Sequence, residues 1–120
     1  MTPAADLAYV TAVLTLYTAL PDTPNRASAY DKNVASAFLQ RDVPLQVVES
    51  ALLLGSLRRS NRPGGRLPLP AIRSLAYFSP VVDELLRQPL SDTYLDYLRS
   101  KKAERFLRPE VQKSTFSHDR

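Results

Sequence analysis

The residues best suited to chemistry in this chain are guanidinium groups, and their spacing is uneven. Arg58, Arg59, Arg62, Arg66 and Arg73 fall within residues 50–82, a window without a single Asp or Glu. Arg99, Lys101, Lys102, Arg105 and Arg108 form a second run, broken only by Glu104. Together they hold ten of the sixteen basic residues, so a net charge of only +4 conceals two concentrated cationic stretches. The planar fork of arginine suits two-point contacts to phosphate. Several such contacts bind a nucleic-acid backbone by releasing its counterions, without reading sequence. The competing reading is plain: cationic helix ends and solvated loops are common in proteins that touch no nucleic acid.

Other chemistries find few residues to work with. The one histidine, His118, sits in a polar C-terminal stretch and cannot anchor a catalytic triad. There is no cysteine, which removes thiolate nucleophiles, disulfides and thiolate metal sites. Gly64, Gly65 and Arg66 could form an anion-binding nest, but two glycines beside Pro63 are ordinarily a flexible turn. Asp92 and Asp96 share a helix face, where Asp92 behind Ser91 reads as a complement to the helix dipole. Asp83 and Glu84 read as a solvated face. The expectation is a protein that is not an enzyme, with no cofactor, no metal and no small-molecule substrate.

The elements that must position these cations are helices. Residues 43–62 are apolar at Leu45, Val47, Val48, Ala51, Leu52, Leu53, Leu54 and Leu57, too many for one stripe. A helix apolar on nearly every side belongs inside a bundle. Pro44 is expected in its first turn, with Arg58 and Arg59 emerging from its last. Val47, Val48, Ala51, Leu52 and Leu54 should be buried. A first helix over 3–20 should turn Leu7, Val10, Val13, Leu14 and Tyr17 to one face before Pro21 and Pro24. A second, over 28–41, carries Ala35, Phe38 and Leu39 as apolar residues among Asp31, Lys32, Asn33 and Gln40. After a Pro- and Gly-rich loop, spacing predicts a short helix over 71–78. Ser79 and Pro80 then restart the chain, with Val81, Val82, Leu85 and Leu86 inward. Ser91 should cap a last helix over 92–107 that buries Leu95, Leu98 and Phe106. The fold class expected is all-α: a small orthogonal bundle of five to six helices around the central helix near 44–60. It should form one domain over 1–108, followed by a flexible tail over 109–120.

No apolar run reaches the ~18 residues that span a bilayer. Residues 7–20 lack the basic flank of a secretion signal, since no Lys or Arg precedes Arg26. A cytoplasmic protein with no membrane contact is therefore expected. Helices 28–41 and 44–60 also have roughly the lengths of a helix–turn–helix. Asp42 stands where the turn normally has Gly, and the second helix opens with Leu45, Gln46, Val47 and Val48. Such a helix lacks the free polar side chains that read base edges. Phosphate contact without base reading is expected instead.

One resemblance appears over residues 44–86. Pro44-Leu45-Gln46-Val47-Val48, Ala51-Leu52, a basic loop, Ile72-Arg73-Ser74-Leu75-Ala76-Tyr77-Phe78, Val81-Val82 and Leu85 follow one another in an order that resembles helical DnaD-type replication-initiation modules. Leu75 and Leu85 stand where that pattern favours Trp. The resemblance implies a small helical domain of bacterial, plasmid, phage or transposon replication proteins that contacts DNA and partner proteins. It makes Tyr77 and Phe78 candidate stacking residues, with core packing the expected role of at least one. The function expected is thus a DNA-associated accessory module in a replication or mobile-element context. It would grip phosphates through Arg58, Arg59, Arg62, Arg66, Arg73, Arg99, Lys101, Lys102 and Arg105. The alternative is a helical protein–protein adaptor whose basic patches meet an acidic partner.

Overall fold

A computed structural model describes residues 3–61 and 69–102. Five α-helices and one 3-10 turn account for most of them, and no strand occurs among the described residues. In order they are α1 (Pro3–Thr18), α2 (Ala29–Gln40), α3 (Leu45–Ser60), the 3-10 turn Leu75–Phe78, α4 (Ser79–Arg87) and α5 (Asp92–Lys102). The chain divides into two compact units, Met1–Pro89 and Leu90–Arg120, with α5 alone among these elements in the second. The all-α expectation is met. The tail over 109–120, Phe106 and the loop arginines Arg62 and Arg66 lie outside the described residues.

The first unit is built on α3. Every residue from Ser50 to Leu57 is buried, which only a helix surrounded by neighbours can achieve. Helix α1 packs against both α2 and α3, and α4 packs along α3. The 3-10 turn touches α2, α3 and α4 and so closes the unit. Val48, Ala51, Leu52 and Leu54 are buried as expected, while Val47 is half-buried. Pro44 stands one place earlier than expected, as the extended N-cap of α3. Close approach of α3 to the 3-10 turn depends on Gly55. A Cβ there would meet Cδ1 and Cε1 of Phe78 at 2.8 Å.

Three expectations need correcting. Leu7 is 66% exposed, so the apolar face of α1 is carried by Val13 and Tyr17, with Leu20 beyond its end. The helix expected over 71–78 is only the four-residue turn Leu75–Phe78, because the Ser74 hydroxyl accepts the Ala76 N–H and fixes the start there. A new helix does begin at Ser79, as expected, but its N-cap is Phe78 rather than Ser79. The 3-10 turn runs directly into α4, whose first turn takes Pro80 where its missing N–H costs nothing. Leu86 consequently faces outward, with Val82 and Leu85 in the core.

In the second unit, Ser91 starts α5 as expected: its Oγ accepts the Tyr94 N–H at 3.1 Å. Leu95 and Leu98 are buried.

Candidate nucleic-acid interface

The acid-free window of the sequence is not acid-free in space. Arg58 donates a forked pair of hydrogen bonds to Glu84 of α4, Nη1 to Oε1 at 2.9 Å and Nη2 to Oε2 at 2.8 Å. Arg41, at the end of α2, meets the adjacent Asp83 at 2.8 Å. Asp83 and Glu84 do face solvent, as expected, and from there they also clasp α4 to the rest of the unit. The fork keeps the Glu84 carboxyl below the usual glutamate range, with the charge of Arg87 adding to the effect.

Arg59 departs further from the expectation that it emerges into solvent. Its side chain is only 10% exposed. Nη2 donates to the Pro70 carbonyl at 3.0 Å and to Asp22 Oδ2 at 3.3 Å, and Nη1 donates to the Tyr77 hydroxyl at 3.3 Å. The guanidinium carbon lies 5.4 Å from the Tyr77 ring centroid, within cation–π range. Burial opposes the charge, but the hydrogen bonds to Tyr77 and Asp22 outweigh it and hold the Arg59 pKa above the ordinary arginine value. Asp22 is itself held in the left-handed region, φ 66°, and its carbonyl accepts the Ile72 N–H at 2.8 Å. Arg59 thus ties the turn after α1 to the segment leading into the 3-10 turn.

These residues border one open groove of about 250 Å³, lined by Gly55, Arg58, Arg59, Leu69, Tyr77 and Val81. Tyr77 is 45% exposed and its ring is oriented edge-on to Phe78 at 5.1 Å. Phe78 is fully buried and also meets Tyr17 edge-on at 6.4 Å, so it is a core residue closed to any incoming base. Arg73 is exposed and has no ion-pair partner among the described residues. Arg99 pairs with Asp96 at 3.6 Å, and Lys101 Nζ lies 5.6 Å from the Tyr97 ring centroid. Arg105 lies outside the described residues. The two basic runs belong to different units.

The turn between α2 and α3 supplies another correction. Asp42 takes φ 59°, the left-handed conformation that Gly usually provides and Asp tolerates. The absence of Gly is therefore no obstacle to a helix–turn–helix connection. What argues against DNA reading is α3 itself, buried from Ser50 to Leu57.

Sequence reasoning missed Asp31. Its carboxylate is fully buried, with Oδ2 accepting the Ser28 N–H and Oδ1 accepting the Leu75 N–H, each at 2.9 Å. Ser28 returns the first bond by accepting the Asp31 N–H, a reciprocal capping box that the S-x-x-D spacing could have revealed. The bond to Leu75, forty-four residues on, had no local signal. Tyr17 lies near this charge with its hydroxyl buried, and burial first, then the Asp31 charge, pushes its pKa up to about 12.

The described residues form a small all-α fold, with an aromatic and cationic groove in its first unit. Compared with protein-family models, curated proteins and solved structures, the chain matches none of them. Among the described residues no helix is long and apolar enough to cross a membrane.

Proposed function

We propose that this chain is a non-enzymatic, DNA-associated accessory module, working in the cytoplasm in a replication or mobile-element setting, that takes phosphate backbone at the groove between α3 and α4. The observation that carries the reading is the convergence of Arg58, Arg59 and Tyr77 on that groove. Arg59 is spoken for by three acceptors and serves as the fixed base under Tyr77. Arg58 is half-exposed and its carboxylate partner is also open to water, so a phosphate can replace Glu84 without unburying anything. Arg73, Arg99, Lys101 and Lys102 supply further cations, with Arg62, Arg66 and Arg105 from the sequence. The resemblance of residues 44–86 to DnaD-type modules supports the same reading. Because α3 offers no free polar face, contact is with backbone rather than base edges.

An adaptor role is favoured by a different observation. Leu69 and Val81 line the groove beside two guanidiniums that already hold carboxylates, a setting that also suits an acidic segment with an aliphatic residue. Titration of the chain with random duplex DNA at several salt concentrations separates the two. Binding that weakens log-linearly with salt supports the DNA reading. No binding at low salt, with capture of acidic peptides instead, transfers the groove to the adaptor.

A further inference from the structure

We propose that one face of α5 is a stacking surface for single-stranded nucleic acid, formed by Tyr94, Tyr97 and Lys101. At about 100° per residue, positions i, i+3 and i+7 fall within a stripe about 60° wide. Tyr94, Tyr97 and Lys101 occupy those positions. The two rings lie 5.5 Å apart with planes 26° apart, and Lys101 Nζ sits 5.6 Å from the Tyr97 centroid. Both tyrosines are exposed, although Leu95 and Leu98 on the neighbouring stripe are buried.

Charge is sorted around the same helix. Asp92 and Asp96 fall on the opposite side of α5 by the same geometry, and Arg99 pairs with Asp96 there. Among the described residues the tyrosine stripe carries no carboxylate, and it ends at the cationic last turn of Arg99, Lys101 and Lys102. A partner for this face must be anionic to use the lysines and must present flat π-surfaces to use the rings. A duplex hides its base faces inside its own stack and shows only edges. A protein carboxylate would use the lysine and leave the rings idle. A single strand offers phosphates and open base faces in alternation, and stacking on an aromatic tolerates any base. The groove of the first unit uses none of these residues, so the two surfaces can fail separately.

The chain contains no tryptophan, so Tyr94→Trp places a lone indole on the stripe. Titration of this full-length variant with an oligothymidylate should quench its fluorescence. An abasic oligonucleotide of equal length, and a duplex, should quench it far less. Tyr94→Ser with Tyr97→Ser should weaken oligothymidylate binding roughly tenfold or more while leaving duplex binding as in the parent. Tyr94→Phe with Tyr97→Phe should retain it, which guards against a helix that simply unravels. An unquenched indole, equal binding by the Ser and parent chains, or displacement of the strand by polyglutamate as readily as by oligothymidylate overturns the proposal. Arg58→Ala, which acts at the groove, should leave the quench unchanged.

Discussion

At the scale of single residues, the side chains that decide this structure are those with partners far away in sequence. Asp31 is the clearest. Its carboxylate closes the start of α2 and, through Leu75, pins the start of the 3-10 turn. Asp31→Asn retains the shape but offers an NH2 where one of two buried N–H groups needs an acceptor. It should cost about 1–3 kcal/mol, read as a lower urea midpoint at unchanged slope. An unaltered midpoint would show that these bonds contribute nothing net. Gly55 is the converse case, where absence of a side chain matters. Gly55→Ala improves helix propensity by ~1 kcal/mol, but its Cβ enters the Phe78 ring at 2.8 Å in a packed core. Overpacking of about 1–3 kcal/mol should win, so thermal denaturation should shift down; a higher Tm would contradict the contact. The capping half of Asp31 was legible in the Ser28-to-Asp31 spacing. Its second bond was not, because nothing local marks a tie across forty-four residues.

At the scale of elements, α3 was legible because eight apolar residues on all sides leave a helix no place but the interior. The junction of the 3-10 turn with α4 was not. Ser79-Pro80 carries the signature of a new helix start and α4 does begin there, but the 3-10 turn abuts it, so that Phe78 and not Ser79 is the N-cap. The clasps between elements show the same division between local and distant information. Arg58 and Arg59 are neighbours in sequence and equivalent as helix-end cations, yet one lies open and the other is enclosed by Asp22, Tyr77 and Pro70. Substitution should separate them. Arg59→Lys cannot reach three acceptors from one ammonium, and about 1–3 kcal/mol should be lost. Arg58→Ala should lower stability less, and its effect should vanish in acid. Glu84 has a folded pKa below its unfolded one, so its contribution is present above the unfolded carboxylate pKa and is lost as pH falls through the folded value. Equal losses from both arginines at neutral pH would remove the distinction.

At the scale of the whole molecule, the charge pattern that singles out residues 50–82 in sequence is partly neutralised by folding. Asp22 and Glu84 return to the arginines that the chain's order had left without acids. Half-buried Tyr9 and buried Tyr17 give the fold a basic limit of its own. Tyr9 and Tyr17 are both pushed up to about 12 by burial, with the Asp31 charge adding for Tyr17. Stability from keeping them neutral is fully present below the unfolded tyrosine pKa near 10 and is lost as pH rises toward 12. Absorbance titration should show a late alkaline tyrosine step coinciding with unfolding; complete ionisation near pH 10 in the folded chain would refute it.

The same neutralisation changes how the proposed DNA contact must be tested. From sequence alone, replacing Arg58, Arg59 and Arg62 together should leave the fold intact. The structure makes Arg59 a tie between distant segments, so that variant would confuse lost binding with lost folding. Arg58→Ala with Arg73→Ala removes two exposed cations instead and touches no buried group. If both engage phosphate, each removes about 0.9 from the log–log salt slope on duplex DNA, roughly two units together. The loss should be nearly the same on any DNA sequence, because α3 presents no polar face to base edges. An unchanged slope with retained helicity would mean that the groove does not hold the backbone, and the cations of the second unit would then have to account for any binding that remains.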